Sequence, residues 1–197
     1  MCSSDLLALL PAGRAVAQSA EWRALLQEAT ALRALLDRVQ AARHAAAPER
    51  PPPLLLKIAP DLAPADAREL AQVAVAGGID GLIVGNTTTA RPPDLHGRHA
   101  GQSGGLSGRP LFAPSTELLR EIYRLTAGRL PLIGVGGIAS GADAYAKIRA
   151  GAALVQLYTA LIYQGPGLVG RIKHDLTACL RADGFATVAD AVGADHR

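Results

Sequence analysis

Leu25, Leu26, Ala29, Leu32, Leu35, Leu36 and Val39 recur at i, i+3, i+4 and i+7 spacing with Arg and Glu between them. That period predicts an amphipathic helix over about residues 21–47. Pro48 and the prolines at 51–53 end it, because a proline has no N–H to donate and its ring clashes with the turn before it. Beyond Pro53 the pattern changes to short apolar runs at 54–59, 81–84, 132–135 and 154–158, each read as a strand. Helical stretches follow at about 63–76, 115–126, 141–150 and 168–181. A long polar stretch rich in Gly and Pro, 86–114, separates the second strand from its helix.

Strands that are apolar throughout and separated by helices imply a parallel sheet covered by helices, since parallel neighbours need a crossover. Four βα units are visible. A (β/α)8 barrel takes about 250 residues and eight such units, so the α/β chain is expected to be the C-terminal half of a TIM barrel. An open doubly wound sheet is the alternative that pattern alone leaves open.

Composition supports a folded chain: of 197 residues 49% are hydrophobic and 19% charged, with a formal net charge of +3. Disorder needs lower hydrophobicity and more net charge. The small positive excess is scattered and has no interleaved aromatics, so nucleic acid is not an expected partner. Cys2 and Cys179 offer no disulfide framework, and no apolar run reaches the roughly 20 residues that span a bilayer. Residues 6–10 faintly mimic a secretory leader, but Asp5 stands where a positive charge is expected and the apolar core is short.

Function in parallel α/β folds collects at the C-terminal ends of strands. Lys57 interrupts an apolar strand, and burying an unpaired ammonium is costly, so it is expected to be paired or functional. Gly85-Asn86-Thr87-Thr88 ends the second strand with an amide and hydroxyls that can bind a polar ring, although an ordinary Asx turn explains the same residues. The loop through Gly104-Gly105-Leu106-Ser107-Gly108 is longer than most connections, as lids and binding loops are. Gly134-Val135-Gly136-Gly137 and Tyr158-Thr159 end the third and fourth strands. Glycines after a strand let backbone N–H groups approach a phosphate, so a phosphorylated small molecule is the inferred ligand. His96 and His99 have no third ligand spaced to join them, and no metal is expected. Trp22, Tyr123 and Tyr145 read as packing residues.

The stretches LLLKIAPDL, GLIVGNTT, SGGLSGRPL, PLIGVGGIASGADAYAKIRAGAALVQLYTAL and GFATVADAVGADHR resemble the C-terminal part of class 2, quinone-dependent dihydroorotate dehydrogenases. The resemblance runs over about three quarters of the chain. It implies a flavin mononucleotide (FMN) enzyme of pyrimidine biosynthesis that oxidises dihydroorotate to orotate and is reoxidised by a quinone. By that resemblance Lys57 lies against the flavin, Asn86 and Thr87 hold the substrate ring, and Gly108, Gly137, Tyr158 and Thr159 bind FMN. Gly85 stands where the family has threonine or serine, so its flavin contact is reduced to backbone.

The family's Asn-x-Ser-Ser-Pro-Asn-Thr motif, which carries the catalytic serine, is absent; residues 11–20 read PAGRAVAQSA. No catalytic base is therefore assigned, and the chain as written is expected to be an inactive fragment. Met1-Cys2-Ser3-Ser4-Asp5-Leu6 resembles a translated sequencing-adapter end, so 1–20 is expected to be non-native and 21–197 to be the barrel part. The resemblance places the full-length enzyme at a membrane, the cytoplasmic face of the inner membrane if bacterial, through N-terminal helices, with this piece cytoplasmic. Two other readings are a different phosphate-binding barrel enzyme with a Schiff-base or acid–base Lys57, and a half-barrel that self-associates without catalysis.

Overall fold

The computed structural model describes residues 29–197. The start of the first helix, Trp22 and the reading of residues 1–20 lie outside the described residues. Helix α1 occupies Ala29–Ala46, and β1 (Leu55–Ile58), α2 (Pro64–Ala76), β2 (Gly81–Val84), α3 (Phe112–Thr126), β3 (Leu132–Val135), α4 (Gly141–Arg149) and β4 (Ala152–Gln156) follow. Then come α5 (Thr159–Gln164), α6 (Gly167–Ala182) and the single turn α7 (Val188–Ala191). Ser140 caps α4 by accepting the N–H of Asp143 at 3.1 Å, satisfying a donor with no partner inside the helix.

The four strands are all parallel and lie in the order β1-β2-β3-β4. That consecutive order decides against the doubly wound sheet, in which strand order reverses part-way. The chain is part of a (β/α)8 barrel. Register places Lys57, Ile83, Ile133 and Leu154 in one row across the sheet. Successive residues face opposite ways, so Ile58 and Val84 point to the other side, where they are buried in the main core with Leu70, Leu119 and Ile122 of α2 and α3.

Two expectations need correction. The runs at 54–59 and 154–158 are not covered on both faces: Leu55 is 40% and Leu154 63% exposed on the concave side. A continuous apolar run requires two apolar faces but does not say that this stretch of chain supplies both covers. The fourth strand also begins and ends earlier than expected, because a register irregularity leaves Ala153 unpaired against β3. Leu157 and Tyr158 thereby leave the sheet and lead into α5, which the sequence reading passed over.

Smaller clusters pack around Leu168 and Ile172 and around Ile148, Leu180 and Ala191. Among the described residues, Val155 alone packs against all three clusters. The C-terminal segment is tied to α4: Arg149 reaches Asp183 at 2.6 Å and Asp195 at 2.7 Å. Tyr123 stacks on the His196 ring at 4.8 Å, and Tyr145 donates its hydroxyl to Asp183 at 2.6 Å. The packing role expected of both tyrosines therefore holds, with a hydrogen bond added.

Candidate functional site

Lys57 stands on the concave face of β1, exposed and in register with Ile83. Among the described residues it forms no ion pair. The burial argument made for it from sequence therefore does not apply to these residues, and what distinguishes Lys57 is its position near the strand end in an otherwise apolar row.

At the end of β2 the chain turns through Gly85 with φ 120°, and its N–H donates to the Ile58 carbonyl at 3.2 Å. A Cβ built there falls 2.3 Å from the carbonyl oxygen of Val135. Gly85 is thus more than a missing side chain, since backbone conformation and the end of β3 both require glycine. Gly85→Thr, the change toward the family residue, is expected to cost about 2 kcal/mol or more, read as a lower urea midpoint at unchanged slope. A variant as stable as the parent would refute the steric account. Asn86 follows, exposed, with its Oδ1 accepting the N–H of the next residue, Thr87, at 2.9 Å, whereas the Thr88 N–H that an Asx turn would use donates to the Leu106 carbonyl. A Cβ at Gly105 would fall 2.1 Å from Thr87 Oγ1, which shows how closely the long loop closes on this threonine.

The long loop is built rather than slack. Thr88 and Leu106 exchange backbone hydrogen bonds of 3.0 and 2.8 Å across its base. Asp61, in the turn after β1, accepts the Thr88 hydroxyl in a short bond and the Thr89 N–H at 2.8 Å. Arg91 spans the interior, donating to the carbonyls of Thr89 and Ala90 at 3.1 Å, Gln102 at 2.7 Å and Gly104 at 2.8 Å. Asp61 and Arg91 were both missed from sequence. The signal for Arg91 was a lone guanidinium beside a Gly-rich stretch whose carbonyls need donors. Arg91→Ala is expected to open the segment between Pro92 and Gly104 to trypsin, giving cleavage at Arg98 at least about tenfold faster than in the parent. Equal rates would mean that the bridge at Thr88 suffices. His96 and His99 stay on the loop surface, where Arg98 Nε contacts His99 Nε2 at 2.8 Å. No group of metal-ligating residues forms among the described residues.

Gly108 (φ 86°) sits against Thr159, whose Cγ2 lies 3.1 Å from a built Cβ, and the Thr159 hydroxyl donates to Ser107 Oγ at 3.1 Å. The loop after β2 therefore meets the turn after β4. Gly136 and Gly137 have φ of 111° and 74°, and a Cβ on Gly137 would lie 2.5 Å from both Cβ and N of Phe112. Neither Gly108 nor Gly137 gives its N–H to another backbone group among the described residues. A cavity of about 170 Å³ opens beside this turn, lined by Arg109, Pro110, Phe112, Ala113, Gly137 and Asp143. Tyr158 is 77% exposed next to Thr159. Close approaches at this end of the sheet thus join Gly85 to Val135, Thr87 to Gly105, Gly108 to Thr159 and Gly137 to Phe112, and of the residues expected in the site they bring Gly108 and Thr159 into contact.

A sequence model of the family described as dihydroorotate dehydrogenase matches residues 14–180. The chain belongs to the dihydroorotate dehydrogenase family. Among its relatives, the dihydroorotate dehydrogenase (quinone) of Rhodospirillum rubrum is 60% identical over 172 residues, covering 87% of this chain and 47% of the relative. The mitochondrial dihydroorotate dehydrogenase (quinone) of Arabidopsis thaliana is 53% identical over 88% of this chain and 38% of its own length. The ligand-free dihydroorotate dehydrogenase structure from Eimeria tenella superposes with a TM-score of 0.83 at 41% identity, covering 89% of this chain and 52% of that one. The chain spans about half the length of the dehydrogenases it matches or less.

Proposed function

We propose that the chain forms one wall of an FMN site at which dihydroorotate is oxidised to orotate, with a quinone as the final electron acceptor, in pyrimidine biosynthesis. The observation that carries this reading is the gathering of glycine turns and the Asn86-Thr87 pair at the strand ends of a chain of this family. The donor set fits the cofactor: among the described residues the amides of Gly108 and Gly137 have no backbone partner, which suits a phosphate, while the glycine at 137 is itself required by the packing of Phe112. The backbone of Tyr158-Thr159 completes that end, and Gly85 offers main-chain atoms only.

When bound, FMN supplies hydride acceptance and passes the electrons on to the quinone. Lys57, exposed on the concave face, would set its ammonium beside a bound flavin and offset negative charge there. Asn86 and Thr87 supply neutral hydrogen-bonding groups that orient the dihydroorotate ring without changing protonation state. The motif that carries the family's serine base is not in the sequence, so no residue is assigned to proton removal. Losing such a base costs about 10²–10⁴-fold by itself, and the expected outcome for the chain alone is no turnover.

The test is the visible spectrum after incubation with FMN and desalting, followed by dihydroorotate under anaerobic conditions. Retained flavin bands that dihydroorotate fails to bleach are expected. A colourless protein would refute the cofactor wall in this chain, and bleaching would refute the absence of turnover. A second reading rests on the exposed Leu55 and Leu154: two copies cover each other's concave faces. A monomer on size-exclusion chromatography would dismiss it. No helix among the described residues is long and apolar enough to cross a membrane.

A further inference from the structure

Lys147 of α4 is fully buried, at 0% exposure, and no carboxylate pairs with it among the described residues. Its Nζ lies 2.6 Å from Ser115 Oγ and 3.5 Å from the Phe112 carbonyl, and 5.3 Å from the centre of the Phe112 ring. Ser115 Oγ in turn lies 2.5 Å from the Leu111 carbonyl and 3.3 Å from that of Gly136. A built Cβ on Gly136 falls 2.7 Å from the same Oγ, and one on Gly137 collides with Phe112. The two-glycine turn therefore rests on the first turn of α3, and Lys147 holds that turn from beneath.

Two influences disfavour the charged form of Lys147 more than one carboxylate favours it. The ammonium lies beside the N-terminal turn of α3, where the helix dipole is also positive. Burial first, and Arg120 of α3 second, lower the pKa of Lys147 to about 7, while Asp143 of α4 opposes them. A buried ammonium that gains stability from neither a salt bridge nor solvent is poorly explained as a structural element, because an apolar residue of similar length would pack there at less cost. Ser115, the Phe112 carbonyl and the Phe112 ring are its neutral partners, and an anion bound beyond the glycine turn would add the opposite charge they lack.

Resting on the flavin reading above, we propose that Lys147 is a positioning residue for the phosphate end of the cofactor. Through Ser115 and Phe112 it fixes the Gly136-Gly137 turn, and its charge makes that turn selective for the phosphorylated flavin. The side chain does not touch the ligand, since it is buried beneath the turn.

The experiment compares the parent chain with Lys147→Met and Ser115→Ala, using FMN and riboflavin, which lacks the phosphate, as probes by quenching of flavin fluorescence. Lys147→Met is expected to weaken FMN by about tenfold or more while leaving riboflavin within about twofold. Between roughly pH 6.5 and 8.5, spanning the Lys147 pKa of about 7, the ratio of FMN affinity in the parent to that in Lys147→Met is expected to fall as Lys147 loses its proton, the phosphate's own titration cancelling in the ratio. Equal losses for both flavins, or an unchanged FMN affinity, would overturn the proposal. Should the parent bind neither flavin, the cofactor reading of this chain fails separately, and the amide resonances of Gly136 and Gly137 then decide the positioning claim. They are expected to titrate with Lys147 in the parent, to be flat in Lys147→Met and to be shifted in Ser115→Ala. Resonances that do not move in the parent would overturn it.

Discussion

Gly137→Val is expected to destabilise the chain by about 3 kcal/mol or more, read as a lower urea midpoint at constant slope. Two costs combine. The φ of 74° is one that a β-branched residue rarely adopts, and a Cβ would stand 2.5 Å from both Cβ and N of Phe112. Phe112 cannot yield by a rotamer change, because one of the clashing atoms is backbone at the start of α3. Gly104 provides the comparison: its φ is 121° but nothing lies within 4 Å of a built Cβ. Gly104→Ala is thus expected to show only the backbone cost, about 1 to 2 kcal/mol. Equal losses at the two sites would dismiss the contact with Phe112 as the main cause.

The second large effect concerns stability against pH. Lys147 has a folded-state pKa of about 7, below its ordinary value, because of burial and then Arg120. Between pH 7 and the lysine's ordinary titration range the unfolded chain holds a proton that the folded chain lacks, so stability rises with pH. The penalty is full below pH 7 and is relieved as pH climbs toward 10. From the size of the shift it is on the order of 5 kcal/mol. Lys147→Met removes the titrating group while keeping an unbranched chain in the same space. It is expected to be more stable than the parent at pH 6, with the difference shrinking toward pH 10. Parallel curves for the two proteins would show that Lys147 does not titrate in this window.

β2 and β3 are legible to the residue because their apolar runs are bounded by glycine and a turn, and α2, α4 and α6 lie within one or two residues of their periodic stretches. The start of α3 is not, since a 3-10 turn at Arg109–Leu111 feeds the helix before the periodic face begins. β4 shifts because a bulge has no signature in an apolar run, and α5 has no buried face to produce a period. The site divides in the same way. Glycines directly after β3 announce a close approach, so Gly137 could be read from the pattern, whereas Gly85 and Gly108 follow only from the family resemblance, and the collision at Gly85 depends on β3 and is invisible in its own neighbourhood. Lys147 looks like any solvated lysine in a helix of alternating Ala and polar residues, and its burial is decided by α3 packing over it. Arg91 and Asp61 act on loop backbone far away in sequence, which spacing cannot reveal.

Val155, in contact with all three apolar clusters, has a consequence for cooperativity. A chain whose core is split among several clusters unfolds as one unit only if the free energy of separating them exceeds that of melting the weakest. The helices on β1–β3 make one such body, and the α4–α6 region with the C-terminal turns makes another. β4 is the shared seam. Val155→Ala, by loosening that seam on every side at once, should split a single thermal transition into two, with the C-terminal elements melting first. A single unbroken transition would show that the ladder between β3 and β4 couples the bodies without it.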